Sequence, residues 1–518
     1  MTALMQRLGD FPIIGNRMLL VWMADIVKWV FPSVFLLRCY LLTQVIAAGA
    51  AMYMMGRPVC AAGASLYCPI NPPFLLLAVP QYSAQGANPR RQTMLTRRRL
   101  LQTTASIAAV PVLRGFAAPE SHSSLPPSIA ALKSMHGQVR PITTEERRGR
   151  LDRAQQLMRE NKIDGILLAG GTSLTYFTGM RWGNSERLFA ALIPANGKSI
   201  CVLPSFEDAR AHEQLNSGPL ENAEVLTWHE DESPYKILAG GMRARGMATG
   251  AIGVEERTPF VFSDEVGKAS PGVKLVSATP VTAGCRMIKS AHELELMSIA
   301  NQATLKVYEA VYHALSPGMT QRDASGLIDA AYKQVGFVGH ASIEVGAYSA
   351  SPHGSITPQT IREGTIVMID DGCTVDGYQS DITRTFVLGK PADKMKKVFD
   401  IVHRAQKAAL DAAKPGVECQ AVDAAARKVI VDAGYGPDYT YFSHRVGHGI
   451  GMDGHEWPYL VLGNKLPMKA NMTFSDEPGI YIPGEFGVRL EDDMHITSDG
   501  ARLFTPQSPS LEHPFEIA

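Results

Sequence analysis

Apolar positions recur with two different periods along the chain, and they outline two folded regions. Thr143-x-x-Glu146 has the spacing of a helix-capping box, and Leu151, Ala154, Leu157 and Met158 then draw one apolar stripe down a helix. Residues 163–169 form an apolar run of strand length. Residues 188–194 and 199–203 flank Ala195-Asn196-Gly197-Lys198, which reads as a hairpin turn, and 251–254 is a further short strand. Alternating strands and helices predict an α/β domain over 142–285. Ser290-x-x-Glu293 repeats the capping pattern. After it, Ile299, Ala303, Val307, Ala310 and Ala314 mark the buried face of a long helix that stops at Pro317-Gly318.

An internal repeat starts there. Ala314, Pro317-Gly318, a helical stretch and Gly336-Phe337 are matched in order and spacing by Ala412, Pro415-Gly416, a helical stretch and Gly434-Tyr435. Two copies are too few for a solenoid and predict two related halves packed about a shared sheet.

The polar positions on the next strands carry the chemistry. Residues 365–370 and 382–388 are β-branched apolar runs on either side of Asp376-Gly377, a dipeptide that favours a tight turn. With a loop at 376–377, Asp370 falls opposite Thr383 and Asp381 is its diagonal neighbour. With a loop at 375–376, Asp370 faces Asp381 directly. Either register puts both carboxylates on one sheet face, about 5–8 Å apart at Cβ. There they repel unless a cation lies between them.

Alternation through 473–477 turns Glu477 with Thr473 and Ser475, away from Met472 and Phe474, before Pro478-Gly479 turns the chain. In 487–493, Val488 and Leu490 take one face, and Arg489 and Glu491 take the other. His448 stands among Gly447, Gly449 and Gly451, where a backbone can approach closely. Two Asp, two Glu and one His make an oxygen-rich set with one nitrogen. It suits a pair of divalent ions about 3.5–4 Å apart.

In order and surroundings these fragments (IDDG with GYQSDITRTF, HRVGHGIGMDGHE, DEPGIYI and GVRLEDD) resemble the creatinase, prolidase and aminopeptidase P group of M24-type metallopeptidases. The resemblance implies an α+β fold, with a pita-bread catalytic domain over 286–518. A creatinase-type α/β domain over 142–285 precedes it, and Tyr176-Phe177-Thr178-Gly179 is similar to that domain's signature. The unsubstituted ligand set separates the chain from creatinase itself.

By the same resemblance, Asp370 holds one metal, His448 and Glu477 hold the other, and Asp381 and Glu491 bridge both. The two ions, most often manganese with cobalt, zinc or iron possible, acidify a shared water that attacks the scissile carbonyl. Glu477 then shuttles the proton. His353 and His455 match histidines that hold the substrate carbonyl and developing oxyanion, His444 a further active-site histidine, and Arg489 a contact to substrate or carboxylates. Asp371 and Asp476 stand where smaller or apolar residues are usual and are expected to face away from the metals. The implied activity is cleavage of Xaa-Pro bonds at peptide N-termini, as a peptidase with a small peptide substrate and a homodimeric state. A small-molecule hydrolase or lyase on the same fold, or a metal-free binding protein, is the reading to set against it.

Composition adds limits. Among 518 residues, 50 basic and 50 acidic side chains cancel, which favours neither nucleic acid nor an acidic membrane as partner. The seven cysteines form no C-x-x-C, so neither a disulfide framework nor a zinc ribbon is indicated. Gly449-x-Gly451-x-x-Gly454 imitates a dinucleotide fingerprint but follows histidines rather than a clear strand. Residues 94–118 have Arg97, Arg98 and Arg99 before an apolar stretch and end in small residues after Gly115. This is a secretory signal of twin-arginine type, with export of the mature part to the periplasm. Such signals act at an N-terminus, so 1–93 is expected to be upstream sequence ahead of a start at Met94. The alternative is a membrane-associated extension, with 39–55 close to the minimum span. Residues 119–141 read as a linker, and no stable membrane insertion of the mature part is expected.

Overall fold

Both capping boxes close as their sequences require. Thr143 accepts from the Glu146 amide while the Glu146 carboxylate accepts from the Thr143 amide, and Ser290 and Glu293 do the same. Each box satisfies two N–H groups that a helix start leaves without partners. The computed structural model describes residues 125–516. The extension at 1–93 and the signal segment at 94–118 lie outside the described residues.

The described chain opens with α1 (Pro127–Ala130) and a 3-10 turn at His136–Gln138, followed by α2 (Thr144–Glu160). Next come β1 (Gly165–Ala169), α3 (Thr172–Thr178), β2 (Ala190–Pro194), β3 (Ile200–Pro204), α4 (Asp208–Leu215) and β4 (Glu224–Trp228). Then follow α5 (Pro234–Ala244), β5 (Gly250–Val254), α6 (Phe260–Ala269), β6 (Val273–Ser277) and α7 (Thr279–Arg286). These strands make one sheet in the order β4-β3-β2-β1-β5-β6. The β2–β3 hairpin turns where the sequence places it. The outermost strands, β4 and β6, were not anticipated. They carry Glu224 and Lys274 and are only half-buried, so their apolar signal is weak.

The segment expected to be a linker folds onto the following domain in its described part. Ile129 and Met135 enter a core with Leu296, Val307 and Ile328, and the Met135 amide donates to the Val335 carbonyl at 2.8 Å.

The second domain begins with α8 (Ala291–Tyr312), α9 (Gln321–Val335), β7 (Val338–Gly339), β8 (Ser342–Val345) and β9 (Ile366–Asp370). It continues through β10 (Cys373–Val375), β11 (Tyr378–Gln379), β12 (Arg384–Val387), α10 (Asp393–Ala412) and α11 (Cys419–Asp432). It ends with β13 (Gly447–Gly449), β14 (Glu456–Leu460), β15 (Thr473–Asp476), β16 (Gly479–Ile482), β17 (Phe486–Arg489), β18 (Asp492–Ile496) and β19 (Ala501–Leu503).

The repeat is real in three dimensions. Gly318 and Gly416 both have positive φ, 98° and 85°. Their amides donate to equivalent carbonyls, Ile361 and Met468. The α8–α9 pair packs behind Val367 and Ile369, and the α10–α11 pair behind Phe474 and Val488. Each helical pair covers one half of the strands and leaves the other face to the site.

Asp376 and Gly377 form the hairpin loop between β10 and β11, at φ 45° and 91°, with Val375 paired to Tyr378. The β9–β12 ladder pairs Ile369 with Arg384, so continuing it puts Asp370 opposite Thr383, the first of the two registers. At Asp371 the backbone turns to φ 112°, and β9 and β10 part into different sheets. Among the described residues no helix is long and apolar enough to cross a membrane.

Candidate active site

The five carboxylate and imidazole residues come from five places in the chain and meet at one cavity of about 520 Å³. Asp370 ends β9, Asp381 precedes β12, His448 is the middle of β13, Glu477 follows β15, and Glu491 lies between β17 and β18. His353, His444, His455 and Arg489 line the same cavity. Two donor groups form within it. Asp370, Asp381 and Glu491 make one, and His448, Glu477 and Glu491 the other, with the ligand atoms of each within 4.8 Å of one another. Asp381, His448 and His455 make a third set of the same kind.

The sheet pattern explains the convergence. Val488 and Leu490 bury themselves in the α10–α11 core, which turns Arg489 and Glu491 to the cavity. Ser475 donates to Glu477 Oε1 at 3.2 Å, so the two share a face as alternation requires. The His448 amide donates to Ser475 Oγ at 3.0 Å, and the His448 Nε2 lies 3.3 Å from Glu477 and 3.7 Å from Asp381.

The electrostatics fit a cation site. Burial pushes Asp381 well above the usual carboxylate range, and Asp370, Asp493 and Glu477 add to it. Burial does the same to Glu491, with Asp381, Glu477 and Asp370 as the like charges. Glu477 is pushed up to about 7, again first by burial. Burial and like-charge repulsion thus raise Asp381, Glu477 and Glu491, while Arg489 holds Asp370 down, and a cation between them would relieve the repulsion. The donor chemistry, oxygen-rich with one nitrogen, suits divalent ions of the first transition row.

Arg489 is buried and bonds Asp370 at 2.6 Å, Thr383 Oγ1 at 2.9 Å, Tyr481 OH at 3.0 Å and the Pro352 carbonyl at 2.9 Å. It therefore orients Asp370 and the turn carrying His353. His444 is held on both ring nitrogens, by the Arg445 carbonyl at 2.8 Å and by Tyr481 OH at 2.7 Å. Burial, with Arg489 nearby, lowers its pKa to about 3, so the ring is neutral. Both ring nitrogens are engaged inside the protein, and Nδ1 also lies 3.8 Å from the Glu477 carboxylate.

His455 stacks on His448, with ring centroids 3.7 Å apart, and Arg445 donates to its Nδ1 at 3.1 Å. In the neutral ring the proton is thereby assigned to Nε2.

Asp476 faces away, as expected, and is wholly buried beside Asp492. Asp371 departs from the expectation. Its positive φ breaks the alternation and it borders the cavity, but its carboxylate turns to the Ser342 amide at 3.1 Å and toward His340.

Three contributors escaped the sequence reading. Thr383 joins Asp370, Glu491 and Arg489 through one hydroxyl. Having a single hydrogen, that hydroxyl donates to one carboxylate at a time. Tyr481 links His444 to Arg489, and Asp493 holds the Asp381 amide at 3.0 Å. Thr383 could have been found from its place opposite Asp370 in the predicted register.

Residues 295–498 match the model of metallopeptidase family M24, and 150–288 match the creatinase/prolidase N-terminal domain. A curated Xaa-Pro dipeptidase of Lactobacillus helveticus is 33% identical over 370 residues, covering 70% of this chain and 98% of the relative. The chain belongs to metallopeptidase family M24.

Solved members of the M24 group share its architecture. Dipeptidase PepE from Mycobacterium ulcerans is 34% identical with a TM-score of 0.67, over 72% of this chain and 99% of that one. A recombinant prolidase from Thermococcus sibiricus is 31% identical with a TM-score of 0.64, over 71% and 98% respectively. The pita-bread and creatinase-type domains are therefore the fold of this M24 peptidase, and its cavity carries carboxylate and imidazole groups that could hold a divalent metal.

Proposed function

We propose that this M24 peptidase cleaves Xaa-Pro bonds at the N-terminal end of short peptides, using two divalent ions held by Asp370, Asp381, His448, Glu477 and Glu491. The observation that carries this reading is that Glu491 belongs to both donor groups. A carboxylate common to two neighbouring sets suits two cations side by side. The names of relatives, an Xaa-Pro dipeptidase and a prolidase, support the choice of bond. Manganese is the proposed metal, with cobalt, zinc or iron also compatible with the donors.

Ions so held supply Lewis acidity, which polarises a carbonyl and acidifies water. The protein does the rest. His455, with its proton on Nε2, donates to the scissile carbonyl oxygen, and His353 stands on the same cavity wall to hold the oxyanion. Glu477, beside the His448 imidazole at 3.3 Å, takes the proton from the attacking water and returns it to the prolyl nitrogen as the bond breaks. Arg489 keeps Asp370 ionised and oriented. A prolyl bond has no N–H and confines the preceding residue to extended conformations, so shape and carbonyl are what the site must read.

We also propose export through the arginine-led segment at 97–99, and a homodimer in solution. Replacement of Arg97 and Arg98 by Lys is expected to keep the product inside the cell.

The decisive experiment is metal analysis of the purified enzyme followed by a matched series of Xaa-Pro, Xaa-Pro-Yaa and Xaa-Ala-Yaa peptides with manganese. Faster turnover of the proline peptides is expected. Equal rates on proline and alanine would reject proline specificity, and no hydrolysis of any peptide would favour a small-molecule hydrolase or lyase.

A further inference from the structure

His455 is carried on the segment between β13 and β14, and that segment is gripped from the other domain. Asp453 in that segment and Glu456, which opens β14, are buried. Arg286, at the end of α7, bonds Asp453 at 2.7 Å and also Glu456, while Lys289 reaches Glu456 at 2.6 Å. Thr172, at the start of α3, donates to Asp453 Oδ1 at 2.7 Å. Arg257, just beyond β5, does two things at once. Its Nη1 lies 3.1 Å from Asp453 Oδ1, and its Nη2 donates to the His455 backbone carbonyl at 3.0 Å.

One guanidinium of the N-terminal domain therefore fixes the peptide unit of His455 and the acid two residues before it. At the ring end, Arg445 and the stack on His448 complete the hold. The Arg257 side chain is 56% exposed, so its ion pair is screened and contributes little to stability. What it can control is aim.

We propose that Arg257 is a positioning residue for turnover, through which the N-terminal domain of the same chain sets the orientation of His455 over the metal cavity. The proposal rests on reading His455 as the group that holds the substrate carbonyl.

The test uses the full-length, metal-loaded enzyme on an Xaa-Pro dipeptide, with Arg257→Ala, Arg257→Lys, His455→Ala and the Arg257→Ala/His455→Ala double variant. A misaimed donor at the reacting carbonyl lowers kcat, and about a 10-fold loss is expected for Arg257→Ala. KM, bound metal and Tm are expected to stay at wild-type values. Added guanidinium should restore part of the rate, and Lys less, because a single ammonium does not span both acceptors. The double variant should be no slower than His455→Ala alone, since both changes remove one function.

Wild-type kcat in Arg257→Ala with a crippled His455→Ala would overturn the proposal and leave the reading of His455 standing. Losses that add in full would overturn it too, because Arg257 would then act elsewhere. Wild-type kcat in His455→Ala would remove the reading of that histidine, and the proposal with it.

Discussion

Among the described residues, two clusters of buried acids have opposite charge balance. At the joint between the domains, Asp453 and Glu456 meet three cations, Arg257, Arg286 and Lys289. Burial alone would raise both carboxyls, yet Arg286 and Lys289 outweigh it and hold them below their ordinary values. In the cavity, Asp370, Asp381, Glu477 and Glu491 have one bonded cation, Arg489, and Arg445 is turned to His455. There burial and mutual repulsion push Asp381 and Glu491 up. Burial of acids is common to both clusters, so it does not mark a site. The deficit of positive charge around an open cavity tells the two apart: the joint is a closed ion network whereas the cavity is an open one.

The strongest way to break this comparison is to remove a shared carboxylate. Asp381→Ala or Glu491→Ala is expected to lose at least one ion and to lower kcat on the order of 10³-fold or more. The metal-free fold should survive, because the change relieves repulsion. Metal content, peptide turnover and the circular dichroism spectrum check this, and full activity in a metal-free preparation would sink the mechanism.

The joint should respond in the opposite way. Arg286→Met strips the cation shared by Asp453 and Glu456 and leaves acids buried beside it. The expected loss is about 3–5 kcal/mol of stability, read from urea unfolding. An unchanged midpoint would show that the joint is not the closed network described. Asp381→Asn in metal-free enzyme should shift the midpoint the other way.

The cavity was largely legible in the sequence and the joint was not, for a physical reason. The metal-ligand candidates sit on strands or within a few residues of their ends, where alternation and a two-residue turn fix the face each side chain takes. Asp370 and Asp381 could be placed from Asp376-Gly377, Glu477 from its alternation with Thr473 and Ser475, and Glu491 from the Val488 and Leu490 pattern. Asp371 could not, because a non-glycine residue at φ 112° breaks the alternation that the argument uses. Arg257 and Asp453 lie on loops and Thr172 opens α3, far apart in sequence, and nothing local says that they meet. Likewise β4 and β6 lie at sheet edges, where partial exposure erases the apolar signal.

The smallest effect separates the clusters by pH. A group whose folded pKa is raised contributes stability below its unfolded pKa and loses it as pH rises through the folded one. Glu477 rises from 4.5 to about 7 and Asp493 from 3.8 to about 8, so metal-free enzyme should lose stability as pH climbs through that window. A depressed carboxyl acts in reverse. Asp453 and Glu456 stabilise the fold above 3.8 and 4.5 and should lose that contribution as pH falls through their lowered values. Manganese should abolish the alkaline loss, because it neutralises the cavity, and leave the acid loss untouched. Thermal midpoints from about pH 3 to 9, with chelator and with manganese, provide the measurement. If chelated enzyme were as stable at pH 8 as at pH 5, the cavity would not be the strained, cation-deficient cluster that sets it apart from the joint.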